Sequence, residues 1–336
     1  MRALYSIAAG GPSTLQLVDV PDPVAARGEI VVAVAACAIN YPDVLVIEDK
    51  YQFKPHRPFT PGSEIAGQVY ALGDGVEGFA IGDRVIAMLS GSGGLADKAV
   101  ASADNVFHLP DERDFIEGSA LLFTYSSAIH ALKDRGGLKA GETLLVLGAG
   151  GGIGLATVEI GKAIGARVVG AVSSEEKAKA ALVAGADDAL IYGQPPFSRN
   201  AGRALTDSFK AAVGAGGADV ILDPVGGEYA EAALRAISWR GRYLTVGFPA
   251  GIPRLPLNLV LLKGCDIRGV FQGSFAARET TANKDNVRQL FEWWRASKIC
   301  PRVTEVFPLE RGGEAIERLA RRAAIGKLVV QIANLL

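Results

Sequence analysis

Two short stretches carry residues suited to holding a nucleotide. The first, Thr143–Gly154 (TLLVLGAGGGIG), is an apolar run that ends in glycines, and a helical pattern follows it. Small residues let the backbone approach a pyrophosphate, and the free N–H groups and dipole of a helix N-terminus favour its negative charge. The spacing of Ala149, Gly151 and Gly154 between a strand and a helix therefore predicts a dinucleotide-binding loop. The alternative is a glycine-rich turn of a flavodoxin-like fold that binds no dinucleotide.

The second stretch, VVGAVSSEEK, ends the next predicted strand and bears on which dinucleotide binds. An NAD site usually places a carboxylate about 20 residues beyond the loop. Here Ser173 and Ser174 occupy that corner with Lys177 close by, and hydroxyls with an ammonium suit the additional phosphate of NADP. Ser173 and Glu176 match a capping box, which would turn Glu176 back toward the helix start. Tyr192, after the third strand, adds a hydroxyl or a ring face, and the alternative for Lys177 is a solvated surface lysine.

The elements that position these residues follow a βαβ rhythm from about residue 115 to 264. In chain order we predict strand Thr143–Leu147, helix Gly152–Gly165, strand Arg167–Val172, helix Glu175–Ala184, and strands Asp188–Ile191, Asp219–Asp223 and Tyr243–Val246. This alternation predicts an α/β fold with a doubly wound parallel sheet and right-handed crossovers.

The flanking segments have a different texture. Before residue 115 the chain reads as short strands broken by glycine turns, including Gln68–Leu72 and Arg84–Leu89, which predicts a small barrel or sandwich. After Cys265 we predict a strand at Asp266–Phe271, a long helix that contains Val287, Leu290, Phe291 and Trp294, a helix at Ala315–Ala323 and a final strand at Leu328–Ile332. We expect these terminal elements to pack on the first domain, which would make that domain discontinuous.

Composition limits the classes of protein. The 336 residues carry a net charge of -1, with 49% hydrophobic and 21% charged residues, which is typical of a soluble globular protein and gives no basic field for nucleic acid. The longest apolar run, Ile30–Ile39, is shorter than the roughly 18 residues of a membrane span, so we predict a buried strand. Three scattered cysteines and a start without a secretory signal favour the cytoplasm.

Motifs along the whole chain resemble one protein family. They are GETLLVLGAGGGIGLATVEIGK (Gly141–Lys162), INYPD (Ile39–Asp43), PGSEIAG (Pro61–Gly67), GDRV (Gly82–Val85), DPVGG (Asp223–Gly227), GRYLTVGF (Gly241–Phe248) and GK (Gly326–Lys327). In this order they resemble the zinc-less quinone oxidoreductase branch of the medium-chain dehydrogenase/reductase superfamily. The chain departs from that branch at Glu159, where glutamine is usual, and at Gly148, where alanine is usual.

The resemblance implies a domain plan and a set of cofactor contacts. A GroES-like β-barrel catalytic domain would comprise residues 1–120 and 265–336, with a Rossmann dinucleotide-binding domain at 121–264 between them. The implied NADPH contacts, together with the serine corner, are Asn40, Ser127, Gly151, Gly152, Ile153, Ser173, Ser174, Lys177, Tyr192, Gly247, Phe248, Val270 and Phe271. It also implies a homodimer.

Metal ligands are missing from the positions where related alcohol dehydrogenases bind catalytic zinc. The aligned positions hold Asn40 and Ser63, which are poor zinc ligands. The histidines, His56, His108 and His130, show no metal-like spacing. We therefore predict that the chain binds no metal.

Without a metal, the protein must position the cofactor and stabilise charge on the acceptor oxygen. The candidates are Asn40, as a donor to that oxygen or to the nicotinamide ribose, Tyr51, which aligns with the proton donor of related enoyl-thioester reductases, and Tyr41 as a wall or donor. Alternatively, Asn40 only satisfies backbone groups and Tyr51 is a loop aromatic. We expect Asp43 to be structural, tying down the loop after Ile30–Ile39.

These expectations converge on NADPH-dependent, zinc-independent reduction of quinones. A close alternative is reduction of an activated C=C bond in an enone, alkenal or enoyl thioester, which needs a proton as well as a hydride. A third possibility is a non-catalytic NADPH-binding protein.

Overall fold

A computed structural model describes residues 1–335, and the chain divides into two compact units. One unit joins residues 1–123 to the segment from Pro301 onward, and the other comprises Thr124–Cys300. The first boundary lies close to the expected 120/121, but the second lies 36 residues beyond the expected 264. The difference arises because the strand after Cys265 extends the parallel sheet instead of returning to the first unit.

The first unit is mainly β-structure. Its strands are β1 (Arg2–Ser6), β2 (Leu15–Asp19), β3 (Glu29–Ile39), β4 (Glu64–Leu72), β5 (Arg84–Met88), β6 (Lys98–Ser102) and β7 (Val106–His108), with helices α1 (Tyr41–Ile47) and α2 (Phe115–Gly118). Helix α3 (Leu122–Ile129) follows at the boundary and continues as a π-helix, His130–Arg135. Three-residue 3-10 helices lie at Pro12–Thr14, Ala103–Asn105 and Leu309–Arg311.

The second unit alternates strands and helices. In chain order it contains β8 (Thr143–Leu147), α4 (Gly152–Ile164), β9 (Arg167–Val172), α5 (Glu175–Val183), β10 (Asp188–Ile191), α6 (Arg199–Val213), β11 (Ala218–Asp223), α7 (Tyr229–Arg235), β12 (Ile237–Thr245), α8 (Leu257–Lys263), β13 (Asp266–Gly269), α9 (Gln272–Arg278) and α10 (Thr280–Arg295). Back in the first unit, β14 (Val303–Pro308), α11 (Gly312–Ala320) and β15 (Lys327–Gln331) end the chain.

The sheet of the second unit has the strand order β10-β9-β8-β11-β12-β13, and its pairs are parallel. Counted from β8, this is the order 3-2-1-4-5-6 of the doubly wound dinucleotide fold. The prediction of a doubly wound parallel sheet is confirmed. Because the strands are parallel, the residues that follow β8, β9, β11, β12 and β13 lie along one edge of the sheet, where ligands bind in such folds.

In the first unit, β3 is the central strand of a sheet with the order β14-β15-β3-β4-β5-β7, and β6 also pairs with β3. The predicted strand Ile30–Ile39 is confirmed, and nine of its ten residues are buried because both faces of the strand are covered. Strand β15 pairs antiparallel with β3, and this pairing places Lys327 near Ile39 and Asn40.

The helix predicted at 315–323 begins and ends three residues earlier, at α11. The long helix expected after Cys265 is divided at Glu279 into α9 and α10.

Candidate functional site

The glycine loop joins β8 to α4 in the geometry that the sequence predicts. Gly148 has a φ of +63°, a conformation that side chains disfavour. A Cβ on Gly154 would lie 2.2 Å from the Gly148 carbonyl oxygen, so only glycine allows the helix to approach the loop this closely. Gly151 is the N-cap of α4 and carries no side chain to cap it, so the first N–H groups of the helix are available to a ligand.

The serine corner lies at the end of β9, beside the loop. Ser174 is the N-cap of α5, and its Oγ accepts a hydrogen bond from the Lys177 backbone N–H at 3.3 Å. Lys177 Nζ donates to Ser173 Oγ at 3.4 Å. A Cβ on Gly150 would lie 2.6 Å from the Lys177 Cβ, so the stem of this lysine packs on the loop. The structure therefore brings Ser173, Ser174 and Lys177 to the glycine loop.

The predicted capping box at Ser173 and Glu176 is wrong by one residue. The helix starts at Glu175, so the cap is Ser174, and Ser173 keeps its hydroxyl for other partners. Glu176 nevertheless turns back to the helix start as expected. Hydrogen bonds from its own backbone N–H and, to a smaller extent, from the Ser174 hydroxyl lower the pKa of this exposed carboxyl. Neither Glu175 nor Glu176 is buried in the corner.

Tyr192 follows β10 and lies next to the corner. Its backbone N–H donates to the Val172 carbonyl at 2.8 Å, at the end of β9. The ring packs against Tyr229, with 4.6 Å between the centroids, and the residue is almost buried. Sequence analysis had placed Tyr192 near the corner but had not anticipated this aromatic partner.

Residues on the other side of the loop follow β12 and β13. Gly247 and Phe248 come after β12, and Val270 continues β13 by donating from its N–H to Thr245 O at 2.9 Å. Phe248 and Phe271 expose about half of their surfaces, while Val270 is buried. Each of these four predicted residues therefore lies at the ligand-binding edge of the sheet. Ser127, also predicted, is buried in α3.

A buried carboxylate that sequence analysis missed shapes the same edge. Asp223 Oδ1 accepts hydrogen bonds from the N–H groups of Val225 (2.8 Å) and Gly226 (2.7 Å), and Tyr243 donates its hydroxyl to Oδ2 at 2.6 Å. Burial raises the pKa of Asp223 and that of Tyr243. The carboxylate fixes the turn after β11, and Val225 of that turn lies 2.8 Å from a Cβ built on Gly148. The DPVGG motif was the available signal.

In the first unit, Asn40 is the N-cap of α1 and belongs to a buried polar cluster. Asp43 Oδ2 accepts from the Asn40 backbone N–H at 2.7 Å, and Oδ1 accepts from the Gly62 N–H at 3.1 Å. This double acceptance confirms the structural role expected for Asp43, which ties the start of α1 to the segment before β4. Burial raises the pKa of Asp43 to about 6, although these two backbone bonds oppose the shift.

The Asn40 side chain is held at both ends. Lys327 Nζ donates to its Oδ1 at 2.6 Å and to Glu64 Oε2 at 2.9 Å. Asn40 Nδ2 donates to Glu64 Oε2 at 3.1 Å and to the Ala38 carbonyl at 3.4 Å. Glu64 Oε1 accepts from the Phe123 N–H at 2.8 Å. Both amide hydrogens of Asn40 are thus directed at protein acceptors.

Lys327 and Glu64 were not identified as site residues from the sequence, although both belong to quoted motifs. Their side chains expose only 4% and 1% of their surfaces. Lone buried charges are unfavourable, so the pair is held by its mutual attraction and by Asn40. The signal was the presence of a lysine in an apolar final strand.

The two tyrosines lie at the ends of α1. Tyr41 is its first residue and is half-buried, and Tyr51 lies in the loop that follows and packs against the core of the unit. Burial, and after it the negative charge of Asp43, raises the pKa of the Tyr51 hydroxyl. Tyr51 therefore stays protonated at neutral pH and lies within electrostatic range of Asp43.

Comparisons with known proteins agree with this architecture. The alcohol dehydrogenase GroES-like domain family matches residues 26–111, and the zinc-binding dehydrogenase family matches residues 152–290. A quinone oxidoreductase-like protein 2 from Bos taurus is 33% identical over 306 residues, which cover 90% of this chain and 85% of the relative. The quinone oxidoreductase of Sus scrofa is 32% identical over 336 residues, covering 98% and 97%.

The chain belongs to the quinone oxidoreductase branch of the medium-chain dehydrogenase/reductase superfamily. It is an oxidoreductase with a GroES-like domain and a Rossmann-like domain, as the motifs predicted. The structure of Escherichia coli quinone oxidoreductase complexed with NADPH superposes with a TM-score of 0.89 at 26% identity, covering 98% of this chain and 100% of that one.

The two departures from the branch have local explanations in this quinone oxidoreductase relative. Glu159, on α4, accepts hydrogen bonds at Oε2 from the Tyr125 hydroxyl (2.6 Å) and from the Cys300 N–H (2.8 Å). The carboxylate therefore links the helix of the glycine loop to both ends of the second unit. Gly148 adopts the positive φ at the start of the loop without the strain that an alanine would have there.

The described residues contain neither a group of metal ligands nor a membrane-spanning helix. Within residues 1–335, no three His, Cys, Asp or Glu side chains are grouped so that they could hold a metal ion. Over the same residues, no helix is long and apolar enough to cross a membrane.

Proposed function

We propose that the protein is an NADPH-dependent reductase of quinones that works by metal-free hydride transfer. The observation that carries this proposal is the packing of Lys177 over the glycine loop, with its ammonium beside Ser173. The end of β9 is where this fold holds the ribose of the adenosine half. A cation and two hydroxyls there suit a ribose that carries a phosphate, whereas a carboxylate would suit NAD.

The residues of the second unit fit a dinucleotide laid along the edge of the sheet. The N–H groups of Gly152 and Ile153 would hold the pyrophosphate, and Gly151, whose own N–H donates to the Gly148 carbonyl at 3.1 Å, would let the backbone approach it. Ser173, Ser174, Lys177 and Tyr192 would surround the ribose phosphate. Gly247, Phe248, Val270 and Phe271 would hold the nicotinamide half, with Ser127 and Asn40 as further contacts. When bound, NADPH supplies the hydride, so the protein only has to bind, orient and exclude water.

The polar cluster of the first unit sets what Asn40 can do. As its amide hydrogens are engaged by Glu64 and Ala38, a hydrogen bond to a bound acceptor requires exchange of one of these partners. A quinone oxygen needs only a weak donor or water as its charge develops. We therefore propose Asn40, after exchange of one partner, and Tyr41 and Tyr51 near α1 as donors for this reaction, which requires no strong acid.

The function is tested by following NADPH oxidation against a panel of quinones, alkenals and enoyl thioesters, with calorimetry of NADPH and NADH binding to the same protein. We expect NADPH to bind more tightly than NADH and quinones to be reduced. Absence of binding heat with NADPH contradicts the proposal. Binding without turnover of any panel member favours the non-catalytic alternative.

A second candidate function is reduction of an activated C=C bond. It is supported by Tyr51, whose hydroxyl is protonated at neutral pH and can deliver the proton that follows the hydride, although its raised pKa makes it a weaker acid than an ordinary tyrosine. A preference of the purified protein for enones over quinones in the same panel supports this alternative.

We further propose that activity is independent of zinc and other metals. Asn40 and Ser63 stand where related alcohol dehydrogenases bind zinc, and the Asn40 carboxamide is occupied by Lys327 and Glu64. Dialysis against a chelator should leave quinone reduction unchanged, and loss of activity that zinc restores contradicts this proposal.

We propose a homodimer that forms along β13, the last strand at the side of the parallel sheet. Three leucines of α8, Leu257, Leu261 and Leu262, expose between 66% and 80% of their surfaces, and the strand that follows this helix, β13, is the last strand of the sheet. Exposed apolar groups and an unpaired strand edge are both stabilised by a second copy. Leu261→Asp should shift the sedimentation of a dimer to that of a monomer, while Val183→Asp, on exposed α5, should not. We also propose a cytoplasmic location, which is supported by Cys37, Cys265 and Cys300, none of which forms a disulfide.

A further inference from the structure

Phe53 is a large apolar side chain that stays half exposed in the loop after α1. It follows Tyr51 by two residues and exposes 47% of its surface. A Cβ built on Gly91 would lie 3.1 Å from both Cδ1 and Cε1 of the Phe53 ring, so one part of the ring rests on the backbone at Gly91. Gly91 has a φ of +93°, a conformation that disfavours a side chain. The ring is therefore seated on the protein, while another part of it is open to a ligand.

The loop that carries Phe53 is fixed at both of its ends. Arg57 Nη1 donates to Asp49 Oδ1 at 2.7 Å, and Arg57 Nη2 donates to the Ile47 carbonyl at 2.9 Å. These bonds join the end of the loop to its beginning. The backbone of Phe59 then pairs with that of Ser6 through two hydrogen bonds, at 2.8 and 3.3 Å. Because the loop is held before any ligand arrives, binding against it costs little ordering.

One end of the β-sheet in the first unit brings together residues proposed for the reaction. In the antiparallel pairs β3–β4 and β4–β5, Glu64 lies opposite Ala38 and also opposite Met88. The residues that follow β3, precede β4 and follow β5 therefore meet at this end of the sheet. Asn40 follows β3 and Ser63 precedes β4, and these are the positions where related alcohol dehydrogenases bind catalytic zinc. We therefore expect the acceptor to be reduced at this end.

The loop after β5 connects Phe53 to the same end of the sheet. Leu89 N–H donates to the Ser63 carbonyl at 2.8 Å, and Gly91 N–H donates to the Leu89 carbonyl at 2.7 Å. Gly91, which supports the Phe53 ring, is thus two hydrogen bonds away from Ser63. The exposed ring lies at the end of the sheet where the acceptor is expected, but it is set back from the reacting position by the width of this loop.

We propose that Phe53 determines specificity by stacking on the second ring of a fused-ring quinone, such as a naphthoquinone. The inference rests on the proposed reduction of quinones. Quinones are flat and conjugated, and stacked aromatic rings attract each other beyond the gain from buried area. Because Phe53 is set back, it suits the ring beyond the one that receives the hydride. The side chain has no proton or hydrogen bond to donate, so it acts on binding of the acceptor and not on hydride transfer.

The test compares two acceptors and two replacements of Phe53. KM and kcat for 1,4-naphthoquinone and 1,4-benzoquinone are measured at saturating NADPH for wild type, Phe53→Leu and Phe53→Tyr. Leucine keeps an apolar side chain but removes the ring, so we expect KM for naphthoquinone to rise roughly 3- to 10-fold. Its kcat, and KM for benzoquinone, should change less than about 2-fold, because only uniform binding is lost. Tyrosine keeps the ring and should keep KM for naphthoquinone within about 2-fold of wild type.

Equal rises in KM for both quinones would show that Phe53 only shapes the loop, and an unchanged KM for naphthoquinone also overturns the inference. So does a Phe53→Tyr variant that is as impaired as Phe53→Leu. The matched control is Tyr70→Leu, which removes a 49% exposed ring near the opposite end of β4 and should leave each constant unchanged. If wild type reduces neither quinone, the proposed function fails together with this inference, whereas quinone reduction with equal changes in KM removes only the role of Phe53.

Discussion

Replacement of Lys327 by methionine tests the buried cluster of the first unit most directly. Methionine keeps most of the volume but removes the ammonium from Asn40 Oδ1 and Glu64 Oε2. The Glu64 carboxylate then keeps the Asn40 amide and the Phe123 N–H as hydrogen-bond donors. It loses its counter-charge, however, and the Glu64 side chain is only 1% exposed to solvent. Removing one partner of a buried ion pair costs about 3–5 kcal/mol.

This loss should be visible in thermal unfolding. For a folded unit of this size, about 1 kcal/mol corresponds to roughly 2–4 °C, so Lys327→Met should lower the Tm of the first unit by about 6–20 °C. The double variant Lys327→Met with Glu64→Gln removes the lone charge, and we expect it to recover at least half of the loss. Circular dichroism and calorimetry of the single and double variants measure both quantities.

The control is an exposed ion pair. Lys50 lies 2.8 Å from Glu48, but its side chain is 68% exposed, so Lys50→Met should leave the free energy of unfolding almost unchanged. If the double variant is no more stable than Lys327→Met, the lone charge is not the cause of the loss. A single-variant loss as small as that of Lys50→Met would refute the importance of the buried pair itself.

Three further predictions concern the cofactor, the proton donor and pH. Lys177→Ala should weaken NADPH binding roughly 10-fold or more in calorimetry, because a charge-assisted hydrogen bond is lost, while the NADH dissociation constant changes less than about 2-fold. Tyr51→Phe should reduce kcat for enones by about 100-fold or more, because it removes the proton donor, while quinone reduction changes less than about 2-fold. The pKa of Asp43 is about 6 in the folded protein against 3.8 for an ordinary aspartate, so its contribution to stability is greatest below about pH 4 and is lost as pH rises through 6. Denaturant titrations should therefore show that the stability of wild type relative to Asp43→Asn, which does not titrate, falls by about 2 kcal/mol between pH 4 and pH 7.

Each of these has a clear contrary result. Equal losses of NADPH and NADH binding in Lys177→Ala would show that the lysine holds no additional phosphate. Equal losses on enones and quinones in Tyr51→Phe would assign the tyrosine a structural role. A stability difference between wild type and Asp43→Asn that is independent of pH would mean that folding does not raise the pKa of the carboxyl.

The residues that sequence analysis placed correctly interact mainly through one βα unit. The run from Thr143 to Gly154 specifies a strand, a turn with a positive φ and an uncapped helix start, and each of these depends on neighbours within a few positions. Ser173 meets Lys177 because the lysine lies in the first turn of α5, which begins two residues after the serine. The error in the capping box, by a single residue, reflects how finely a helix start depends on local hydrogen bonds.

The residues that sequence analysis missed interact across the chain. Tyr243 reaches Asp223 only because β11 and β12 are adjacent in the sheet. The second boundary was misplaced because β13 looks like any short strand until it pairs with β12.

The sequence by itself determined the nucleotide loop, the serine corner and the family, because glycine, serine and lysine act there through backbone geometry and short separations. Only the tertiary structure decided the state of Asn40. Its carboxamide is set by Lys327, 287 positions away, and by Glu64, which β4 brings alongside β3. Long-range pairing of this kind depends on strand register and on the desolvation of charges, and neither is encoded in the spacing of neighbouring residues.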